Sequence, residues 1–434
     1  MRDGRRAAAL TLTGLGLTLL VTLALSTPWR PLPGRIPGHP PAGAVASEPA
    51  RDFTAAQLAR SASFSADLRA PALLGLAAGL LAVLALGLSP LGARLLGVVV
   101  RPVRRWPVQV VVAALTLTAV LQAVALPFGV WSETVLRRYG LSTQDWPGWA
   151  LDRLRSAAIV ALTWIVALVL LHLLVRRFPR HWWAPAAAGG FLLVVIFSFL
   201  YPVLVEPLFN SFTPMKPGPL RTELLRLAAA DHVPVRDVLV ADASRRTTAL
   251  NAYVSGFGPT RRIVVYDTLL AAAPPDEIKL IAAHELGHAK RGDVLYGTLA
   301  GALGVSAGVC LLYLTVTSRR VLARAGAESP ADPRAVCLVL AVVTVLAQAA
   351  GPAQNLVTRR IEARADVHSL DLTRDPVTFT RMQRALSVRN ISDLRPAPAE
   401  YALWATHPSG PERIASARTW ARLHGVAEPP PLVP

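Results

Sequence analysis

"IAAHELGHAKRGDVLYG", residues 281–297, sets two histidines and a glutamate directly ahead of a long uncharged run. His284 and His288 are four apart, so on a helix both rings leave one face about one turn from each other. Two imidazole nitrogens so placed can reach one ion, and zinc accepts them in tetrahedral geometry. Glu285 follows the first histidine and can take a proton from a water whose pKa the metal has lowered to about 7. After Asp293 no charged residue appears until Arg319. A hydrolytic metal site therefore adjoins a stretch long enough to cross a membrane, and the rest of the chain has to account for both.

The chain has 434 residues, of which 53% are hydrophobic and only 17% charged. Soluble domains usually carry about 25% charged residues. The apolar excess is gathered into seven uncharged blocks at 7–29, 70–93, 106–132, 156–175, 181–205, 294–318 and 335–358. Each is near or above the roughly 20 residues a helix needs to cross the hydrocarbon core. Arg2, Arg5 and Arg6 precede the first block, as in a signal peptide, but no clean small-x-small cleavage site stands out after it, so it reads as a retained span. Both cysteines, Cys310 and Cys337, fall within spans and imply no disulfide framework. The net charge of +18 comes with arginines clustered in short loops, "RPVRRW" at 101–106 and "RRFPRHWW" at 176–183 among them. Such placement follows the positive-inside effect and argues against nucleic acid as a partner.

These blocks divide the chain. Residues 1–205 hold five spans with a polar loop at 30–69, Pro-rich at its start and helical later. Residues 206–293 have the mixed charge of a small α+β domain, 294–355 hold spans six and seven, and 356–434 are polar again. Within 206–293, "LRTELLRLAAA" has helical spacing, while "DVLVADA" and "RRIVVYDTLL" are β-branched runs that read as strands joined by "NAYVSGFGPTRR". "PPDEIKLIAAHELGHAKRGD" reads as a helix, with prolines in its first turn and Asp276 and Glu277 at the positive end of its dipole. Strand, turn, strand and metal-bearing helix form the layout of a zincin-like domain. The expected fold is thus mainly α and polytopic, with that small domain between spans five and six. The tail "EPPPLVP" reads as disordered.

A catalytic zinc needs a third protein ligand and one open position. The candidates lie in "NLVTRRIEARADVHSL", residues 355–370. Glu362 and Asp366 share one helix face. One can bind the metal while the other accepts the free N–H of a ligating histidine. Spacing alone does not say which, nor does it exclude ordinary surface pairing with Arg359, Arg360 and Arg364. His368 is a weaker competitor because no partner matches it.

Several separated segments resemble one family, the type I CAAX prenyl endopeptidases, which are integral-membrane zinc metalloproteases with seven spans around a chamber. They are "YPVLVEPLFNSFTPM" (201–215), "NAYVSGFGPTRRIVVYDTLL" (251–270), "HELGHAKRGD" (284–293), "NLVTRRIEARAD" (355–366) and "THPSGPERI" (406–414). The resemblance implies one zinc per chain held by His284, His288 and Glu362, with Asp366 behind the ligands. It implies Glu285 as the catalytic base, and His407 and Arg413 beside the reacting carbonyl and the metal-binding carboxylate. It also implies that Asn251 meets the substrate backbone on an edge strand to which an extended peptide could add. Where the family often has His-Ser ahead of Asn-Ala-Tyr, this chain has "TAL".

The composition, rich in Ala, Arg and Pro, resembles that of high-GC bacteria, which generally lack isoprenylation. The expected partners are therefore the lipid bilayer and a peptide or protein substrate, lipid-anchored or a misfolded membrane protein. With seven spans, the arginine-dense loops at the N-terminus, 101–105, 176–180 and 319–334 fall on one face, cytoplasmic by the positive-inside rule. The metal domain of this plasma-membrane protein would then face outward, whereas eukaryotic members of the family place theirs toward the cytosol. A transporter or a non-catalytic zinc-stabilised scaffold is the alternative, and the near absence of charge within the spans speaks against an ion pathway.

Overall fold

The computed structural model describes residues 2–32 and 43–433. Part of the Pro-rich loop start read at 28–41 lies outside them. Among the described residues, seven helices are long and apolar enough to cross a membrane: Asp3–Ser26, Ala55–Leu88, Trp106–Arg138, Trp146–Arg177, Trp183–Leu208, Asp293–Val316 and Pro333–Thr373.

The second block departs from the expected 70–93 at both ends. Its helix begins at Ala55, where Thr54 and Gln57 form a capping box, so the polar stretch before the block belongs to the same helix. It stops at Leu88 because Ser89 takes an extended conformation ahead of Pro90, which opens a separate short helix, Pro90–Val100. The seventh span and the segment carrying Glu362 are one continuous helix, Val336–Thr373. A cavity of about 340 Å3 lies between spans two, three, four and seven, lined by Val83, Leu117, Trp164 and Leu340 among others.

The small sheet has four strands, β1 Phe212–Pro214, β2 Asp237–Ala241, β3 Ala252–Ser255 and β4 Arg262–Tyr266, in the order β1-β2-β4-β3. β2 and β4 run parallel, and β1 and β3 flank them antiparallel. "NAYVS", read from pattern as a connection, is therefore itself the edge strand β3. Only the turn after it, with Gly256 and Gly258 at positive φ, joins strands.

The helix that carries His284 and His288, Pro275–Arg291, packs across this sheet. It buries Ile278, Leu280, Ile281 and Leu286 against Leu224, Ile263, Val265, Phe379 and Trp420. Each such aliphatic side chain contributes about 1.5–3 kcal/mol, which makes this helix the spine of the domain. Gly292 ends it with φ 68°, a left-handed corner that glycine adopts without strain. Asp293 then starts span six.

The arginine-rich ends of the spans meet at the pole of the molecule away from this corner. Arg5 donates to Leu314 and Thr317 at the far end of span six, and Tyr313 donates to the Arg180 carbonyl. The tail read as disordered is instead held down. Arg418 and Asp52 form a fully buried bidentate pair, and Arg418 has donors left for the Pro429 and Pro430 carbonyls at 3.0 and 2.9 Å. Leu432 N–H adds a bond to the Arg51 carbonyl at 3.2 Å.

Candidate metal centre

The helix Pro275–Arg291 and the end of span seven bring three donors together. His284 Nε2 is 3.2 Å from His288 Nε2 and 3.3 Å from Glu362 Oε2, and His288 Nε2 is 3.5 Å from Glu362 Oε1. A tetrahedral ion with bonds of about 2.0–2.1 Å needs donors about 3.3–3.4 Å apart. The three side chains thus already span one face of such a tetrahedron, and the fit to a zinc-sized cation is good. Glu362 is the carboxylate that faces the Nε2 atoms. Asp366, one turn on, faces the other side of the first ring.

The outer nitrogens are engaged. His284 donates Nδ1–H to Asp366 Oδ1 at 2.9 Å, and His288 donates Nδ1–H to Asp293 Oδ2 at 2.9 Å. With the proton fixed on Nδ1, each ring turns an Nε2 lone pair into the shared space. Both carboxylates are held in turn. Arg413 grips Asp366, donating Nε–H to Oδ2 at 2.8 Å, and Arg364 donates to Asp293. The amide of Gln383, with its oxygen turned to Arg413, accepts from Nη2 at 3.0 Å and from Nε at 3.2 Å. Burial works against charge on His284, yet Asp366 and Glu362 override it and push its pKa up to about 10. The donor set draws a cation strongly, and a metal ion meets that demand in place of the proton.

Glu285 is half-buried on the wall of a cavity of about 1120 Å3 and has no protein hydrogen-bond partner among the described residues. Desolvation raises its carboxyl pKa, and the neighbouring histidines pull the other way. His407 comes from the C-terminal segment. Its Nε2 is 3.3 Å from Glu362 Oε2, and its Nδ1 is 2.9 Å from the Thr406 hydroxyl. Asn251 is exposed at the head of β3 and lines the same cavity.

His368 takes no part. It turns away from the histidine pair and donates to the buried Asp231 at 2.8 Å, which Lys290 also meets at 2.6 Å. The same contact accounts for the glycine between Glu285 and His288. A Cβ on Gly287 would sit 2.9 Å from His368 Cδ2, so only glycine lets the helices that carry His284 and Glu362 approach this closely.

Asp293 and Gln383 escaped the sequence reading. For Asp293 a signal existed: an aspartate just past a Gly helix stop can fold back on the last turn. Nothing in the local sequence marks Gln383, which comes from a separate helix, Pro376–Arg389.

The description "CAAX prenyl protease N-terminal, five membrane helices" matches residues 53–211, and "Peptidase family M48" matches residues 214–421. A Bacillus subtilis protein described as "Uncharacterized metalloprotease YhfN" is 33% identical over 308 residues, 69% of this chain and 71% of that one. The Arabidopsis thaliana "CAAX prenyl protease 1 homolog" is 28% identical over 297 residues, 68% of this chain and 69% of that one. The crystal structure of S. mikatae Ste24p shares the fold, with a TM-score of 0.73 at 20% identity, covering 94% of this chain and 97% of that one. The chain belongs to the M48 peptidases, as a multi-pass membrane metallopeptidase of the CAAX prenyl protease type.

Proposed function

We propose that this metallopeptidase holds one zinc ion per chain on His284, His288 and Glu362 and cuts extended segments of membrane-associated proteins. The observation that carries the proposal is the tetrahedral-edge spacing of the three donors beside Glu285, which has no protein hydrogen-bond partner among the described residues. When bound, the zinc lowers the pKa of water and polarises the scissile carbonyl. Glu285 takes the proton of the attacking water and passes it to the leaving amine. His407, steadied through Nδ1 by Thr406, offers Nε2 where the carbonyl oxygen gathers charge. Asp366, Arg413 and Gln383 keep the His284 ring in its tautomer, and Asp293 with Arg364 does the same for His288.

The peptide adds to the open edge of β3, beginning near Asn251. Lipid-anchored or misfolded membrane proteins are the fitting source, because Val294 and Leu295 at the start of span six both line the cavity. A segment leaving the bilayer there reaches the zinc ligands without crossing a soluble domain.

Removing the metal with a chelator is expected to abolish cleavage of unstructured peptides by the detergent-purified protein, and added Zn2+ to restore it. Cleavage that persists in a metal-depleted preparation would sink the proposal.

The arginine-rich pole is placed in the cytoplasm of a bacterial plasma membrane, which puts the metal domain on the outer side. A reporter active only in the cytoplasm, fused after Pro434, is expected to stay silent, and strong reporter activity would reverse the orientation.

A further inference from the structure

β3 is the edge of its sheet, paired on one side only, with β4. In an antiparallel pair, alternate residues turn their N–H and C=O toward the partner and away from it. Tyr266 N–H donates to the Asn251 carbonyl at 3.1 Å, so Asn251 and Tyr253 face β4. Leu250, Ala252 and Val254 therefore present their backbone groups to the open edge, and all three line the metal cavity. Among the described residues, no protein group pairs with Ala252 or Val254 on that side.

Leu250 differs. Its N–H donates to Asn390 Oδ1 at 2.8 Å, and its C=O accepts from Asn390 Nδ2 at 3.1 Å. One side-chain amide thus supplies the acceptor and the donor that a residue on a neighbouring strand would supply. Only this orientation of the amide satisfies both bonds.

The chain goes to some length to hold Asn390 there. Asn390 caps the helix Pro376–Arg389, its own N–H donating to the Leu386 carbonyl at 2.9 Å. Ile391, the next residue, is β-branched and buried, yet has φ 49°, a left-handed conformation that such residues rarely adopt. The segment beyond is tied to span two, where the Ser61 hydroxyl donates to the Ser392 carbonyl at 2.8 Å and accepts from Leu394 N–H at 3.1 Å. A strained corner clamped on both sides fixes the amide against Leu250.

We propose that Asn390 is a positioning residue that stands in for a strand partner. It keeps the chain entering β3 aligned and terminates the edge at Leu250, leaving Ala252 and Val254 as the stretch to which a substrate peptide pairs. The inference rests on the reading that substrate adds to β3. It assigns the limit of that addition to a residue about 140 positions away, on a different helix.

The test uses zinc-loaded, detergent-purified full-length protein carrying Glu285→Gln, so that a bound peptide is not consumed. Affinity for a fluorescein-labelled unstructured peptide is read by anisotropy, with and without Asn390→Ala. Loss of the two bonds that align the edge is expected to weaken the peptide about 5- to 10-fold. Zinc content should stay near the parent value, because Asn390 touches no zinc ligand. Asn390→Asp keeps an acceptor for Leu250 N–H but sets an oxygen against its carbonyl, so it should weaken the peptide as alanine does. Equal affinity in parent and variant would overturn the assignment, as would affinity lost only together with zinc. A wild type that binds the peptide but never cuts it would end the protease reading and leave this comparison intact.

Discussion

Glu362→Ala is expected to empty the metal site. Glu362 bridges the two histidines, with Oε2 facing His284 and Oε1 facing His288. Losing a residue that only orients a ligand costs about 10–100-fold in metal affinity, and losing a ligand itself should cost more. The fold should survive, because Asp366 keeps Arg413 and His284 in place from the neighbouring turn. Metal analysis after dialysis would then find almost no zinc in a protein with near-normal helix content, and no peptide cleavage. Zinc retained at one per chain would show that another side chain completes the site, and would remove Glu362 from the ligand set.

Glu285→Gln is expected to behave in the opposite way, keeping the metal and losing the reaction. Glu285 is not among the three clustered donors, and its carboxylate has no protein partner among the described residues, so the amide leaves nothing unpaired. A glutamine side chain in its place cannot accept the proton of the attacking water. General bases contribute about 10²–10⁴-fold to such reactions, and a loss in that range is expected in kcat with KM little changed.

How much of this could be read in the sequence depended on how local each feature is. The helix Pro275–Arg291 and its two facing histidines were legible because His284, Glu285 and His288 fall at helical spacing within five residues. Span positions were legible from uncharged length, but their ends were not. The break at Ser89–Pro90 and the run of span seven through Glu362 depend on capping and on packing beyond the bilayer. Glu362 and Asp366 could not be ranked by spacing, since both lie on the helix face that meets the histidines. What separates them is one turn of rise, which sets one carboxylate at Nε2 and the other at Nδ1. Strand β3 came only from the family resemblance and not from pattern, because four residues are too few to show alternation and its pairing is with a later segment. Asn390 and Gln383 act across the tertiary fold, and no local pattern announces either.

The closeness of the site to the membrane follows from one corner. Gly292 turns the chain in a left-handed conformation, and Asp293 serves both as the hydrogen-bond partner of His288 and as the first residue of span six. The three clustered donors are thereby anchored to a membrane helix at each end, through span six after His288 and through span seven at Glu362. The spans act as scaffold and wall, and the proposed reacting groups come from the domain between them and from the C-terminal segment.

The most direct measurement pairs wild type with Glu285→Gln, both purified in detergent, and determines bound metal and peptide cleavage on the same preparations. About one zinc is expected in each protein, with cleavage by the wild type alone. A variant that cuts as fast as the wild type, or a zinc-loaded wild type that cuts nothing, would contradict it.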